Sequence, residues 1–229
     1  MNTILLLLLA IVPGLAIAFF IYLRDIRQAE PYSQLLLNIF FGVVSFFMAR
    51  GIGFLLHHFI YIGHEDLTQQ LLAAFLFVGL LGEGSKFLFL RGFTYYNRNF
   101  NHAFDGIVYS IMVGMGYATA ENILYVVNGD SDSAMLRIIT SAPANAVFAV
   151  IMGFFLGEAK LFKNRILLYS SLALLIPAAA HGYYDYFLTI LNIRGLWMQA
   201  IVSLIIVVVL VQLAFKRLKN DEGQKANDK

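Results

Sequence analysis

The stretch LLAAFLFVGLLGEGSKFLFL, residues 71–90, decides the fold. Its first eleven residues, Leu71 to Leu81, carry no charge, yet Glu83, Ser85 and Lys86 follow inside a run that is still oily. About twenty mostly apolar residues are what an α-helix needs to cross ~30 Å of hydrocarbon. A charged residue at the centre of such a helix costs ~2.5–3.5 kcal/mol on biological insertion scales, so it is rare and usually functional. Composition establishes the bilayer. Of 229 residues, 60% are hydrophobic and 13% charged, and the mean hydropathy is +0.75. An ordinary soluble domain has about 25% charged and 45–50% apolar residues. This is the composition of an integral membrane protein.

Working outward, the same length rule predicts an all-α bundle of seven spans, at about 4–23, 35–56, 68–90, 104–128, 135–158, 166–191 and 196–215. The first span has no basic residue before it and is longer than a signal-peptide core, so it reads as a retained transmembrane helix. Residues 1–215 form one membrane domain and the polar tail from Lys216 to Lys229 lies outside it. Twelve of the sixteen Lys and Arg residues fall in alternate loops and in the tail, against two, Arg137 and Arg194, on the opposite side. Basic loops stay in the cytoplasm, which predicts the N-terminus outside and the C-terminus inside. A net charge of +2 is too weak to imply nucleic acid; the partner is the lipid bilayer. There is no cysteine, which excludes disulfides, thiolate ligands and thiol nucleophiles.

Besides Arg50, polar residues recur in four consecutive spans. Glu83 and Lys86 share a helix face at i, i+3. Glu121 and Asn122 lie in GMGYATAENILY, Asn145 in SAPANAVFAVIMGFFLG, and His181 and Asp185 share a face at i, i+4 in IPAAAHGYYDYFL. None can stay charged against lipid, so each should point into the bundle. Taken singly, each is ordinary interhelical glue: Lys86 neutralises Glu83 and Asp185 orients His181. Taken together they form the convergent cluster expected of a site. Pro143 and Pro177 fall close to Asn145 and His181, where helix breaks are tolerated beside a cavity. Gly153-x-x-x-Gly157 reads as helix packing.

The chemistry open to this cluster is limited. A desolvated glutamate can serve as a general base toward water. Glu83, Glu121 and His181 could supply three oxygen and nitrogen ligands to zinc or another divalent metal. The His-Glu-x-x-His signature of soluble zinc proteases is missing, and a transporter's proton relay would look alike. With 1.5 Å per residue, Glu83 falls about 10 Å from the inner end of its span and Glu121 and His181 about 22–25 Å from theirs. Either the third span begins deeper than these bounds or Glu83 is not in the same site; a helix break at Gly82-x-Gly84 could help to close the gap.

At these residues the chain resembles the PrsW family of multi-pass membrane proteases, distant relatives of the CAAX-processing endopeptidases. Glu83 and Lys86 match the second Glu and the Lys of the family's Glu-Glu-x-x-Lys. FDGIVYSIMVGMGYATAENILY is similar to the next helix, with Tyr117 and Glu121 as its aromatic-x-x-x-Glu, and HGYYD supplies His181 and Asp185 of the His-x-x-x-Asp motif. The resemblance spans residues 1 to 215. It implies a membrane peptidase whose site draws on Glu83, Lys86, Glu121, Asn145, His181 and Asp185, and whose substrate is a membrane-tethered protein such as an anti-sigma factor. Two positions depart: Gly82 stands where the family has its first Glu, and Asn145 where it has a His expected to bind metal or activate water. A degenerate protease acting as a binding scaffold is the alternative those departures leave open.

Overall fold

The computed structural model describes residues 3–24, 30–59, 66–128 and 131–187, with positions 205 and 209. The described chain is helical, with no strand among the described residues. The elements are α1 (Thr3–Arg24), α2 (Tyr32–Phe59), α3 (Leu67–Ala73), a π-helical segment (Ala74–Leu80), α4 (Leu81–Gly92), α5 (Ala103–Asn128), α6 (Ser131–Leu161) and α7 (Ile166–Asp185). Single 3₁₀ turns follow α4 at Thr94–Tyr96 and precede α7 at Lys163–Arg165. Of the expected seventh span, 196–215, only positions 205 and 209 are described, and the tail lies outside the described residues.

Among the described residues, five helices are long and apolar enough to cross a bilayer: Ile4–Leu23, Tyr32–Phe59, Leu67–Tyr96, Thr140–Leu161 and Lys163–Asp185. The expected fourth span, 104–128, is a 26-residue helix, α5, but it is not among those five. Its position explains why. Every residue from Asp105 to Ala118 is buried, and α1, α2, α4 and α6 pack around it. A helix wrapped by other helices meets side chains rather than lipid, so small and polar residues cost it little. The main core forms on this axis, from Ile107, Val108, Tyr109, Ile111, Met112, Val113 and Met115 with Met152 and Leu156 of α6.

Glycine sets how closely α5 meets its neighbours. A Cβ on Gly153 would stand 2.3 Å from the Gly106 carbonyl oxygen, and one on Gly157 2.3 Å from that of Ala103. The Gly153-x-x-x-Gly157 pair is therefore the α5–α6 contact, as its spacing suggests. The π-helical segment meets α7 as tightly: a Cβ on Gly79 would lie 2.3 Å from the Ala178 carbonyl oxygen.

Polar side chains tie the end of the bundle where α4 hands over to α5. The Thr94 hydroxyl donates to Asn38 Oδ1 at 2.7 Å and the Asn97 amide to Gln34 Oε1 at 2.8 Å. Lys160 Nζ donates to the Tyr95 carbonyl at 2.7 Å. Asp105 accepts from the amides of Asn101 and His102 at 2.8 and 2.6 Å, using a first-turn carboxylate to satisfy donors at the α5 N-terminus. The buried Tyr109 hydroxyl donates to Glu30, just ahead of α2. These ties fix how far α4 reaches, and so where Glu83 sits.

Candidate functional site

Glu83 opens α4, one turn after the π-helical segment ends. Its carboxylate is completely buried. Oxygen Oε1 meets two partners: Lys86 Nζ at 2.6 Å and His181 Nδ1 at 2.7 Å. Lys86, 1% exposed, also donates to Asn145 Oδ1 at 2.8 Å and stands 4.4 Å from the centre of the Tyr117 ring. Four helices thus meet at one ammonium and one carboxylate: α4 gives both charges, α5 the ring, α6 the amide and α7 the imidazole. Such an arrangement answers the cost of burying charge, since each ion has an opposite charge or a polar atom against it.

His181 is held from both sides. Glu83 takes Nδ1, and Phe148 of α6 stacks on the ring, centroids 4.8 Å apart and planes 21° from parallel. With Nδ1–H donating to a carboxylate, Nε2 is the basic nitrogen. At Nδ1 the orienting partner is Glu83. Asp185 is buried and lines a small cavity with His181, Glu121, Tyr125, Ser141, Asn145 and Tyr184.

Glu121 reaches the centre through a relay. The Ser141 hydroxyl donates to Glu121 Oε2 at 3.0 Å, and Asn145 Nδ2 donates to the Ser141 carbonyl at 3.0 Å while its Oδ1 accepts from Lys86. Glu121 also lines an open cleft with Phe46, Arg50, Leu124, Tyr125 and Asn128, so it separates that cleft from the inner cavity. Asn122 points away from this cavity and donates to the Ala10 carbonyl of α1 at 3.5 Å.

The structure therefore brings Glu83, Lys86, Asn145 and His181 into direct contact and places Glu121 and Asp185 on the adjoining cavity. The level mismatch expected from helix rise disappears: Glu83 and His181 touch. What reconciles them is the π-helical segment Ala74–Leu80 and the continuation of the helix to Tyr96, with no break at Gly82-x-Gly84. Ser141 and Phe148 were missed. Ser141 had a signal, lying four residues before Asn145 on one helix face; Phe148 had none that separates it from core.

The metal triad read from the sequence is not assembled. Among the described residues, no three His, Asp or Glu side chains stand close enough to hold a metal ion. Glu83 and His181 are adjacent, whereas Glu121 stands across the small cavity from His181 and is hydrogen-bonded to Ser141. Gly82 offers no ligand; a Cβ there would sit 3.1 Å from the Tyr117 hydroxyl and 3.7 Å from His181 Cε1. Among the described residues, the side chains present do not fit a divalent metal.

A buried carboxylate, ammonium and imidazole are clasped between apolar helices in one polar centre. The family described as PrsW family intramembrane metalloprotease matches residues 30–214, and the chain belongs to it. Protease PrsW of Geobacillus kaustophilus (strain HTA426) is 35% identical over 178 residues, covering 78% of this chain and 77% of that protein. Protease PrsW of Bacillus subtilis (strain 168) is 34% identical over 184 residues, covering 80% and 82%. Protease PrsW of Clostridioides difficile (strain 630) is 32% identical over 216 residues, covering 90% and 86%. No solved structure matches the chain. The sequence is thus a bacterial-type multi-pass membrane protein of a protease family.

Proposed function

We propose that the chain is a membrane-embedded peptidase that cuts a membrane-tethered protein, of which an anti-sigma factor is the kind the family resemblance suggests. The observation that carries this reading is the shared contact of Lys86 and His181 on one buried oxygen of Glu83, behind a small cavity that His181 itself lines. In the proposed reaction Glu83 holds the His181 tautomer, leaving Nε2 to take a proton from a water in the cavity. That water attacks the scissile carbonyl, and the proton passes to the departing amine. Lys86, fixed by Asn145 and the Tyr117 ring, keeps the carboxylate in place as charge develops on the imidazole. Glu121 and Asp185 line the same cavity and are placed to hydrogen-bond the substrate or the leaving group.

The seven-span topology belongs to the same proposal, with residues 1–215 in the membrane, the N-terminus outside and the tail from Lys216 in the cytoplasm, supported by the distribution of basic residues. It puts the α5–α6 junction, where the cleft at Arg50 and Glu121 opens, toward the outer face. A second reading has its own support: Gly82 and Asn145 remove two groups that the resemblance assigns to the site, as they would be removed from a protease kept as a binding scaffold. Purified chain in nanodiscs with a single-span reporter separates the two. The peptidase reading requires cleavage that Glu83→Gln and His181→Ala abolish in folded protein; binding of the reporter without cleavage by the natural chain replaces it with the scaffold.

A further inference from the structure

We infer that the Lys86 ammonium is the resident cation of this centre, standing where a divalent metal would otherwise be held. The donor atoms are committed to it. Glu83 Oε1 lies 2.6 Å from Nζ and Asn145 Oδ1 lies 2.8 Å from it, while the Tyr117 ring closes a third side at 4.4 Å. An ammonium offers three donors and no acceptor, and a carboxylate, an amide oxygen and an aromatic face are the surroundings that favour it. The remaining imidazole contact is also spent on Glu83 Oε1. Glu83 Oε2 is buried without a hydrogen-bond partner among the described residues; with the far nitrogen of His181 it leaves two donor atoms, and among the described residues no third His, Asp or Glu side chain stands close enough to complete a site. Catalytic zinc takes three protein ligands. A divalent ion drawn to those two atoms would also sit within reach of a fixed positive charge on the same carboxylate, and like charges repel.

Two positions account for the shortfall. Gly82 faces the cluster, since its missing Cβ would point at the Tyr117 hydroxyl and His181 Cε1. Asn145 presents a neutral oxygen to Lys86 where an imidazole would present a ligand nitrogen. The inference concerns cation occupancy and holds whether or not the chain cuts a reporter.

The test is metal content and zinc-dependent melting of the full chain, purified in detergent without chelator. The natural chain is expected to carry far less than one metal per molecule, with a melting temperature unmoved by EDTA or by added zinc, because only a ligand that binds the folded state raises it. Gly82→Glu combined with Asn145→His is expected to take up about one zinc per chain and to melt higher with zinc than with EDTA. Lys86→Met in that background is expected to bind zinc more tightly. Stoichiometric metal in the natural chain, lost on Glu83→Gln or His181→Ala, overturns the inference. So does a folded double variant that ignores zinc, or a Lys86→Met change that weakens binding. Should the double variant fail to fold, Asn145→His alone carries the same comparison, with zinc-dependent melting expected and its absence counting against the inference.

Discussion

Lys86→Met is the substitution whose outcome the geometry fixes most narrowly. Methionine keeps most of the buried stem and removes the charge, so lost packing contributes little. Left behind is a Glu83 carboxylate at 0% exposure with His181 as its remaining hydrogen-bond partner, and an Asn145 Oδ1 without its donor. Two magnitudes compete. Removing one member of a buried ion pair costs ~3–5 kcal/mol because the survivor is uncompensated. Interhelical polar contacts measured in a membrane protein average only ~0.6 and reach ~1.7 kcal/mol. Both ions here are out of reach of water and His181 compensates in part, so the expected loss is about 3 kcal/mol, at the low end of the buried-pair range. Glu83→Gln together with Lys86→Met removes both charges, and the double variant is expected to be more stable than the sum of the single losses by more than about 1.7 kcal/mol. Reversible unfolding in mixed micelles, read by Trp197 fluorescence and helical circular dichroism, supplies the four free energies. A loss below ~1 kcal/mol for Lys86→Met, or additive single losses, refutes the claim that the two charges depend on each other.

Glu83→Gln, Glu121→Gln and His181→Ala are each expected to lower cleavage of a membrane-tethered reporter by ~10²–10⁴-fold, the range of lost acid–base groups, with melting checked alongside; unchanged cleavage removes that residue from the site. Gly153→Val should force α5 and α6 apart and cost ~1–3 kcal/mol, whereas Gly51→Ala, with nothing within 4 Å of its Cβ, should be neutral or gain up to ~1 kcal/mol, both read from the same unfolding assay. Because the chain has no native thiol, Asp130→Cys should react with an impermeant reagent from outside intact cells. Lys163→Cys and Lys225→Cys should react only after permeabilisation, and labelling of position 225 in intact cells would reverse the proposed topology.

Sequence gave access to the contact set more readily than to its geometry. Charge in an apolar run is costly enough that Glu83, Lys86 and His181 had to converge, and they do. Asn145, in a small-residue stretch of another helix, joined them for the same reason. Helix rise alone misjudged depth, because it takes each span as a uniform rod and span three is not one. The burial of α5 was hidden for a related reason: a segment count treats every long helix as facing lipid, while Asp105 and Asn122 are tolerated because neighbouring helices sheathe them, and Glu121 because it faces a cleft and a cavity between them. Glu121 showed the limit of motif logic. Its residue type suits a metal ligand, but the Ser141 hydroxyl that separates it from Lys86 and Glu83 is visible only in three dimensions. Glu30, buried against Tyr109, had no sequence signal, since a carboxylate in a short connection beside Pro31 reads as solvent-facing.

The π-helical turn from Ala74 to Leu80 makes the third span two helices of different phase. Each π-type bond spans one residue more than an α-type bond, so the angular register of residues before Ala74 does not carry through to those after Leu80. Deleting one residue here and letting the segment relax to α-helix would swing Glu83 and Lys86 about 100° around the axis, while leaving hydropathy, charge and motif letters unchanged. Such a chain would still insert and still look like a protease to any comparison of sequences, yet its carboxylate would be turned about 100° away from His181 and Asn145. The turn therefore works as a phase joint, letting the lipid-facing pattern of the first half and the polar pattern of the second vary independently so long as its own length is kept.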